Sequence, residues 1–73
     1  MSLLPQSIER IISIGGSVSV DASYYLPMSL DRFASLAVSS GAKLYIRNAQ
    51  KLLPVSLERI AAIGRGVVVF EFN

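Results

Sequence analysis

The chain is expected to fold as a small α/β domain of three helix–strand repeats, with a parallel sheet in the order 1-2-3 and the helices on one face, stacked as a solenoid. Three observations predict this. One phrase recurs three times, as LPQSIERIISIGG from Leu4, LPMSLDRFASLA from Leu26 and LPVSLERIAAIG from Leu53. Each copy is followed by glycine and then a β-prone run, SVSVDA, KLYIRN or VVVFEF. Between phrase and run the apolar period changes from 3.6 to 2, which is the change from an amphipathic helix to a half-buried strand. Self-similarity at a period in the twenties marks stacked units, none of which buries its apolar face alone. The units are residues 3–25, 26–52 and 53–73 of a single domain, 1–73.

In the first phrase Ile8, Ile11, Ile12 and Ile14 recur at helical spacing, in the second Leu30, Phe33, Ala34 and Leu36, and in the third Leu57, Ile60, Ala61 and Ile63. Pro5, Pro27 and Pro54 suit a first helical turn, because proline's fixed φ and missing N–H cost nothing there. Ser7, Ser29 and Ser56 are alternative N-caps, which would start each helix two residues later. Gly15 or Gly16, Gly41, and Gly64 or Gly66 supply left-handed stops.

After these stops Val18, Val20 and Ala22 alternate with Ser17, Ser19 and Asp21. Leu44 and Ile46 alternate with Lys43, Tyr45 and Arg47. Val68, Phe70 and Phe72 alternate with Val67, Val69 and Glu71. The first set in each strand is expected to face the helices, and the outward register places Arg47 between Asp21 and Glu71. A helix between consecutive strands requires a parallel sheet. One apolar stripe per helix and one apolar face per strand favour helices on one side only, since a doubly wound sheet demands continuously apolar strands. An open two-layer α/β domain with another strand order is the alternative.

The phrases LPMSLDRFASLA with Leu44-Tyr45-Ile46 and LPVSLERIAAIG with Val68-Val69-Phe70 resemble leucine-rich repeats written LPxSLxxLxxL followed by LxI, and the first unit is a looser copy. The family's asparagine position is approached by Asn48, with Ala22 and Phe72 as its counterparts. The resemblance implies a short, leucine-rich-repeat-like solenoid.

At 73 residues the chain buries only about 60% of the surface it exposes when unfolded. Small domains of this size usually gain stability from disulfides, metal or association. With no cysteine and no histidine, disulfides, the usual zinc sites and thiol or imidazole catalysis are excluded. Association remains. The net charge of +2 is spread along the chain without a basic block, so no nucleic-acid partner is expected. No apolar run approaches the roughly 20 residues of a membrane span and no signal-peptide pattern opens the chain. No membrane partner is expected, and the predicted location is the cytoplasm.

No enzyme activity and no cofactor are expected. Glu9, Asp31 and Glu58 are repeat-equivalent, each precedes an arginine, and the helix dipole explains acids in the first turns without any substrate. Arg10, Arg32 and Arg59 occupy one repeat position and form a candidate anion row, although the neighbouring acids favour a solvated ladder of ion pairs. Tyr24, Tyr25 and Tyr45 can line a small site or cover the end of a core.

The run from Val67 to Phe72 is the strongest functional signal. It is β-branched and aromatic, and long solenoids end in polar caps whereas this run is apolar. An unprotected apolar edge strand templates pairing with another chain. Val67, Val69, Phe70, Glu71, Phe72 and Tyr45 are therefore the candidate interaction residues. The expected function is a non-catalytic interaction or structural module, self-associating as a homo-oligomer and presenting a surface to a protein partner. A two-fold dimer is its simplest form, edge-paired or packed face to face. A small ligand-binding or regulatory domain using the tyrosines and the arginine row is the alternative.

Overall fold

The computed structural model describes residues 4–73. Leu3, the first residue that the sequence assigns to unit one, lies outside the described residues. Three helix–strand units follow one another: α1 (Pro5–Ser13) and β1 (Val18–Asp21), α2 (Pro27–Ser40) and β2 (Leu44–Arg47), α3 (Pro54–Gly64) and β3 (Val68–Phe70). The strands form one parallel sheet in the order β1-β2-β3, with Val18 opposite Leu44 and Leu44 opposite Val68.

Each helix starts at its proline. Leu4, Leu26 and Leu53 hold the N-cap positions in an extended conformation, with ψ of 147°, 153° and 149° and no side-chain cap. An extended residue is what a following proline imposes, since its ring disfavours the α region one residue earlier. The serines two residues beyond the prolines thus lie inside the helices. Their backbone N–H groups donate to the carbonyls of Leu4, Leu26 and Leu53 at 2.9–3.0 Å.

All helices cover one face of the sheet, so burial alternates along β2: Leu44 and Ile46 are fully buried while Tyr45 and Arg47 are exposed. Val20 is buried with them, and Val18, Val68 and Phe70 pack half-buried against the same core. Leu30, Phe33 and Ile60 fill its centre, each fully buried, and Tyr25 meets Phe33 edge to face at 5.4 Å. Short 3₁₀ turns at Ala22–Tyr24 and Ala49–Lys51 leave the first two strands and touch each other. Ala22 and Ala49 lie buried at their start.

Several expectations need correction. Ile14 is 88% exposed, because α1 ends at Ser13 and Ile14 is its C-cap, already turned off the apolar stripe. Phe72 lies beyond β3, 60% exposed, and stacks on Phe70 at 6.3 Å instead of entering the core. Val67 precedes β3 and packs half-buried on the core, so it does not share the outer face with Val69. The acids Glu9, Asp31 and Glu58 are each the fifth residue of a helix, beyond the first turn where a charge meets the unpaired N–H groups.

Of the two stops expected for α3, Gly66 stands in the left-handed region at φ 93° and Gly64 does not. Gly41 closes α2 in the left-handed region at φ 80°, but the equivalent position of α3 is Arg65, at φ 47°. Gly64 is helical and buried, and a methyl group there would collide with the Val68 side chain. Gly64 serves helix-to-strand approach, so the C-cap falls on Arg65, and the left-handed Gly66 follows it. A left-handed non-glycine residue costs about 1 kcal/mol. Arg65→Gly is therefore expected to raise the melting temperature by roughly 4–8 °C, the shift that about 1 kcal/mol gives in a domain of this size. An unchanged or lower value in a thermal melt would show that the arginine is held there by contacts worth more than the strain.

Candidate functional site at the open ends

In the outward register Asp21 stands opposite Arg47 and Tyr45 between Ser19 and Val69, whereas Glu71, expected on the other side of Arg47, lies past the end of β3. The polar contacts differ from a simple charge row. Arg47 Nε donates to Ser19 Oγ at 2.9 Å, and Asp21 accepts from the Ser23 backbone N–H at 2.8 Å and from Asn48 Nδ2 at 2.9 Å. Asn48 stands in the left-handed region at φ 57°, which asparagine tolerates better than most residues. It thereby ties the first two units together. Arg47→Glu is expected to lower the melting temperature more than Lys43→Glu, because it places a second carboxylate beside Asp21 and removes the bond to Ser19. Equal shifts would contradict the register.

The backbone N–H of Ser23 is the main cause that holds the Asp21 carboxyl below its usual range, with the Ser23 hydroxyl, Asn48 and the Arg47 charge adding to it against partial burial. A depressed folded value contributes stability that is complete above the unfolded value of about 3.9 and is lost as pH falls through the folded one. Stability is thus expected to decline on acidification below about pH 4, and Asp21→Asn should decline less. Identical acid profiles in a pH series of urea melts would contradict this.

On the helical layer the arginine row does not stand as free cations. Arg32 Nε meets Glu9 Oε1 at 2.8 Å and Arg59 Nη1 meets Asp31 Oδ2 at 3.4 Å. The Glu9 carboxylate, hydrogen-bonded to Arg32 and close to its charge, raises the arginine's already high pKa. Arg32 and Arg59 thus reach back to the acid of the preceding unit. Among the described residues Arg10 and Glu58 have no such partner.

The tyrosines do not converge with the arginines. Tyr25 covers Phe33, Tyr24 is exposed after β1, and Tyr45 lies on the outer sheet face, opposite the helical layer.

At the edge, Leu44 N–H donates to Val67 O at 2.9 Å and Glu71 N–H donates to Ile46 O at 2.8 Å. Parallel ladders use alternate residues on alternate sides. Val67, Val69 and Glu71 therefore face β2 with their backbone groups, while Val68 and Phe70 turn theirs to the open edge. Glu71 is fixed further by accepting from Ala49 N–H at 2.9 Å. Of the candidate residues, Val69 and Tyr45 form the exposed outer patch, Phe70 supplies edge groups and Phe72 lies beside it.

Sequence reasoning missed one apolar feature. Leu4, Leu26 and Leu53 are 68–72% exposed and repeat-equivalent, so a leucine row runs along one rim of the solenoid. Its signal was the LP dipeptide itself, in which proline forces the preceding leucine out of the helix and off its apolar stripe.

The fold and its ends define the class: an open α/β solenoid of three units whose first and last strands each pair on one side only among the described residues. No known protein family, curated protein or solved structure matches the chain. Among the described residues no helix is long and apolar enough to cross a membrane.

Proposed function

We propose that the chain is a non-catalytic interaction module that self-associates through its third strand and acts as a scaffold for protein contacts. The observation that carries this reading is the edge of β3. Among the described residues, the backbone groups that Val68 and Phe70 turn to this edge are unpaired, beside the partly exposed side chains of Val69 and Phe72. Such an edge is a template for strand addition, and association is the means of stabilisation left to a small chain without cysteine or histidine. Three leucine-rich-repeat-like phrases fit the same reading, since stacked repeats present extended binding surfaces.

The alternative, a ligand site built from tyrosines and arginines, has less support. Two of the three arginines are engaged by acids and the tyrosines point to different parts of the fold.

Val68→Pro tests the edge. Proline is tolerated at the first residue of a strand, and this one removes an outward N–H without touching the ladder to β2. The variant is expected to keep its secondary structure by circular dichroism and to associate more weakly in light scattering. Association equal to that of the wild type would set the edge reading aside.

A further inference from the structure

We infer that copies of this chain stack head to tail, the third unit of one against the first unit of the next, in the register already used inside the chain. The inference rests on the self-association proposed above and replaces a two-fold pairing with a directional one.

The first argument is charge. Glu9 pairs with Arg32 and Asp31 with Arg59, always the acid of one unit with the arginine of the next. Continuing that offset leaves Arg10 at one end and Glu58 at the other, both exposed and both without a partner among the described residues. The two ends are therefore complementary to each other.

Burial points the same way. Phe33 and Ile60 are fully buried, yet the equivalent Ile11 is 37% exposed, with no unit packed on that side among the described residues. Ile12 and Ala34 are fully buried, yet the equivalent Ala61 is exposed, with no further unit packed on α3 among the described residues. The first position of this pair faces backward along the stack and the second faces forward. Ile11 of one copy against Ala61 of another repeats the contact that each internal junction makes.

The strands agree. Val18 N–H donates to Lys43 O at 3.1 Å, so Val18 and Val20 turn their backbone groups toward β2 and the intervening residues of β1 turn theirs outward. Parallel addition of β1 beside β3 would set Val18 opposite Val68, as it is set opposite Leu44 within the chain. A two-fold axis would instead pair β3 with itself, leave Arg10 and Ile11 uncovered, and bring Glu58 no arginine from α1. A head-to-tail contact closes into a ring or runs on as a filament.

The test uses Arg10→Glu and Glu58→Arg, both at exposed helix positions, followed by sedimentation. Each variant alone carries like charges at its two ends and is expected to associate roughly three- to tenfold more weakly than the wild type. An equimolar mixture of the two should recover wild-type association, because each end then meets its opposite. A second measurement needs no charge change, since the chain contains no cysteine. Val69→Cys and Ser19→Cys pools should crosslink to each other on mixing, as neighbouring strands lie about 4.8 Å apart. Val69→Cys alone should crosslink little. A mixture of charge variants as weak as its components, or efficient crosslinking of Val69→Cys with itself, overturns head-to-tail stacking while leaving self-association in place. A wild type that stays monomeric overturns both.

Discussion

Phe33→Ala is expected to remove most of the stability of the fold. Phe33 is fully buried at the centre of the middle helix, with Leu30, Leu44, Ile46 and Ile60 around the same core and Tyr25 edge-on against its ring. Truncating such a ring costs about 3–5 kcal/mol through lost transfer energy and the cavity left behind. A chain of 73 residues holds roughly 4–11 kcal/mol in total at the usual density of stability per residue. The variant should therefore unfold at a far lower urea concentration, or be largely unfolded without urea. Phe33→Leu, which keeps most of the volume, should lose much less. A midpoint for Phe33→Ala near that of the wild type would show that the core does not depend on this ring.

The second large effect is expected at Gly64. Two terms compete there. Alanine in place of glycine within a helix gains up to about 1 kcal/mol, but the added methyl would lie against the Val68 side chain, 3.2 Å from its Cβ, with the Ala34 Cβ at 3.8 Å. Overpacking of this kind costs about 1–3 kcal/mol, so the clash outweighs the gain and Gly64→Ala is destabilising. Gly64→Val has less helical gain and two further methyl groups, and should lose about 3 kcal/mol or more. Val68→Ala removes the opposing methyls and should make Gly64→Ala nearly neutral in the double variant. Urea midpoints of the wild type, Gly64→Ala, Val68→Ala and the double variant decide this. A Gly64→Ala variant more stable than the wild type would place α3 farther from β3 than the structure does.

Much of this architecture was legible because the repeated phrase ties each residue to two equivalents. Alternation at Leu44-Tyr45-Ile46-Arg47 identified the strand, its buried face and the register with Asp21, since a period of two leaves no freedom about which side is covered. The prolines marked the helix starts for the same local reason. What was not legible depends on neighbours that one helix or strand does not encode. Ile11 and Phe33 share a repeat position and differ in burial because, among the described residues, α1 packs on the Phe33 side and nothing packs on the Ile11 side. Ile14 is as apolar as Ile12 but falls past the helix end. Gly64 reads as a stop, and only the distance to Val68 shows that it permits an approach and passes the left-handed turn to Arg65. The ladder of ion pairs favoured over an anion row is present, but its partners are not the sequence-adjacent acids. Glu9 and Asp31 each pair with the arginine of the next unit, a partner that the spacing within one helix does not encode.

The central proposal is that another copy of the chain covers the open ends of the described solenoid. Sedimentation equilibrium from low micromolar to millimolar concentration tests it most directly. Average mass is predicted to rise continuously above that of the 7.9 kDa chain as concentration increases, and to fall again for Val68→Pro. A well-folded wild type that holds the mass of a single chain across the whole range would contradict it.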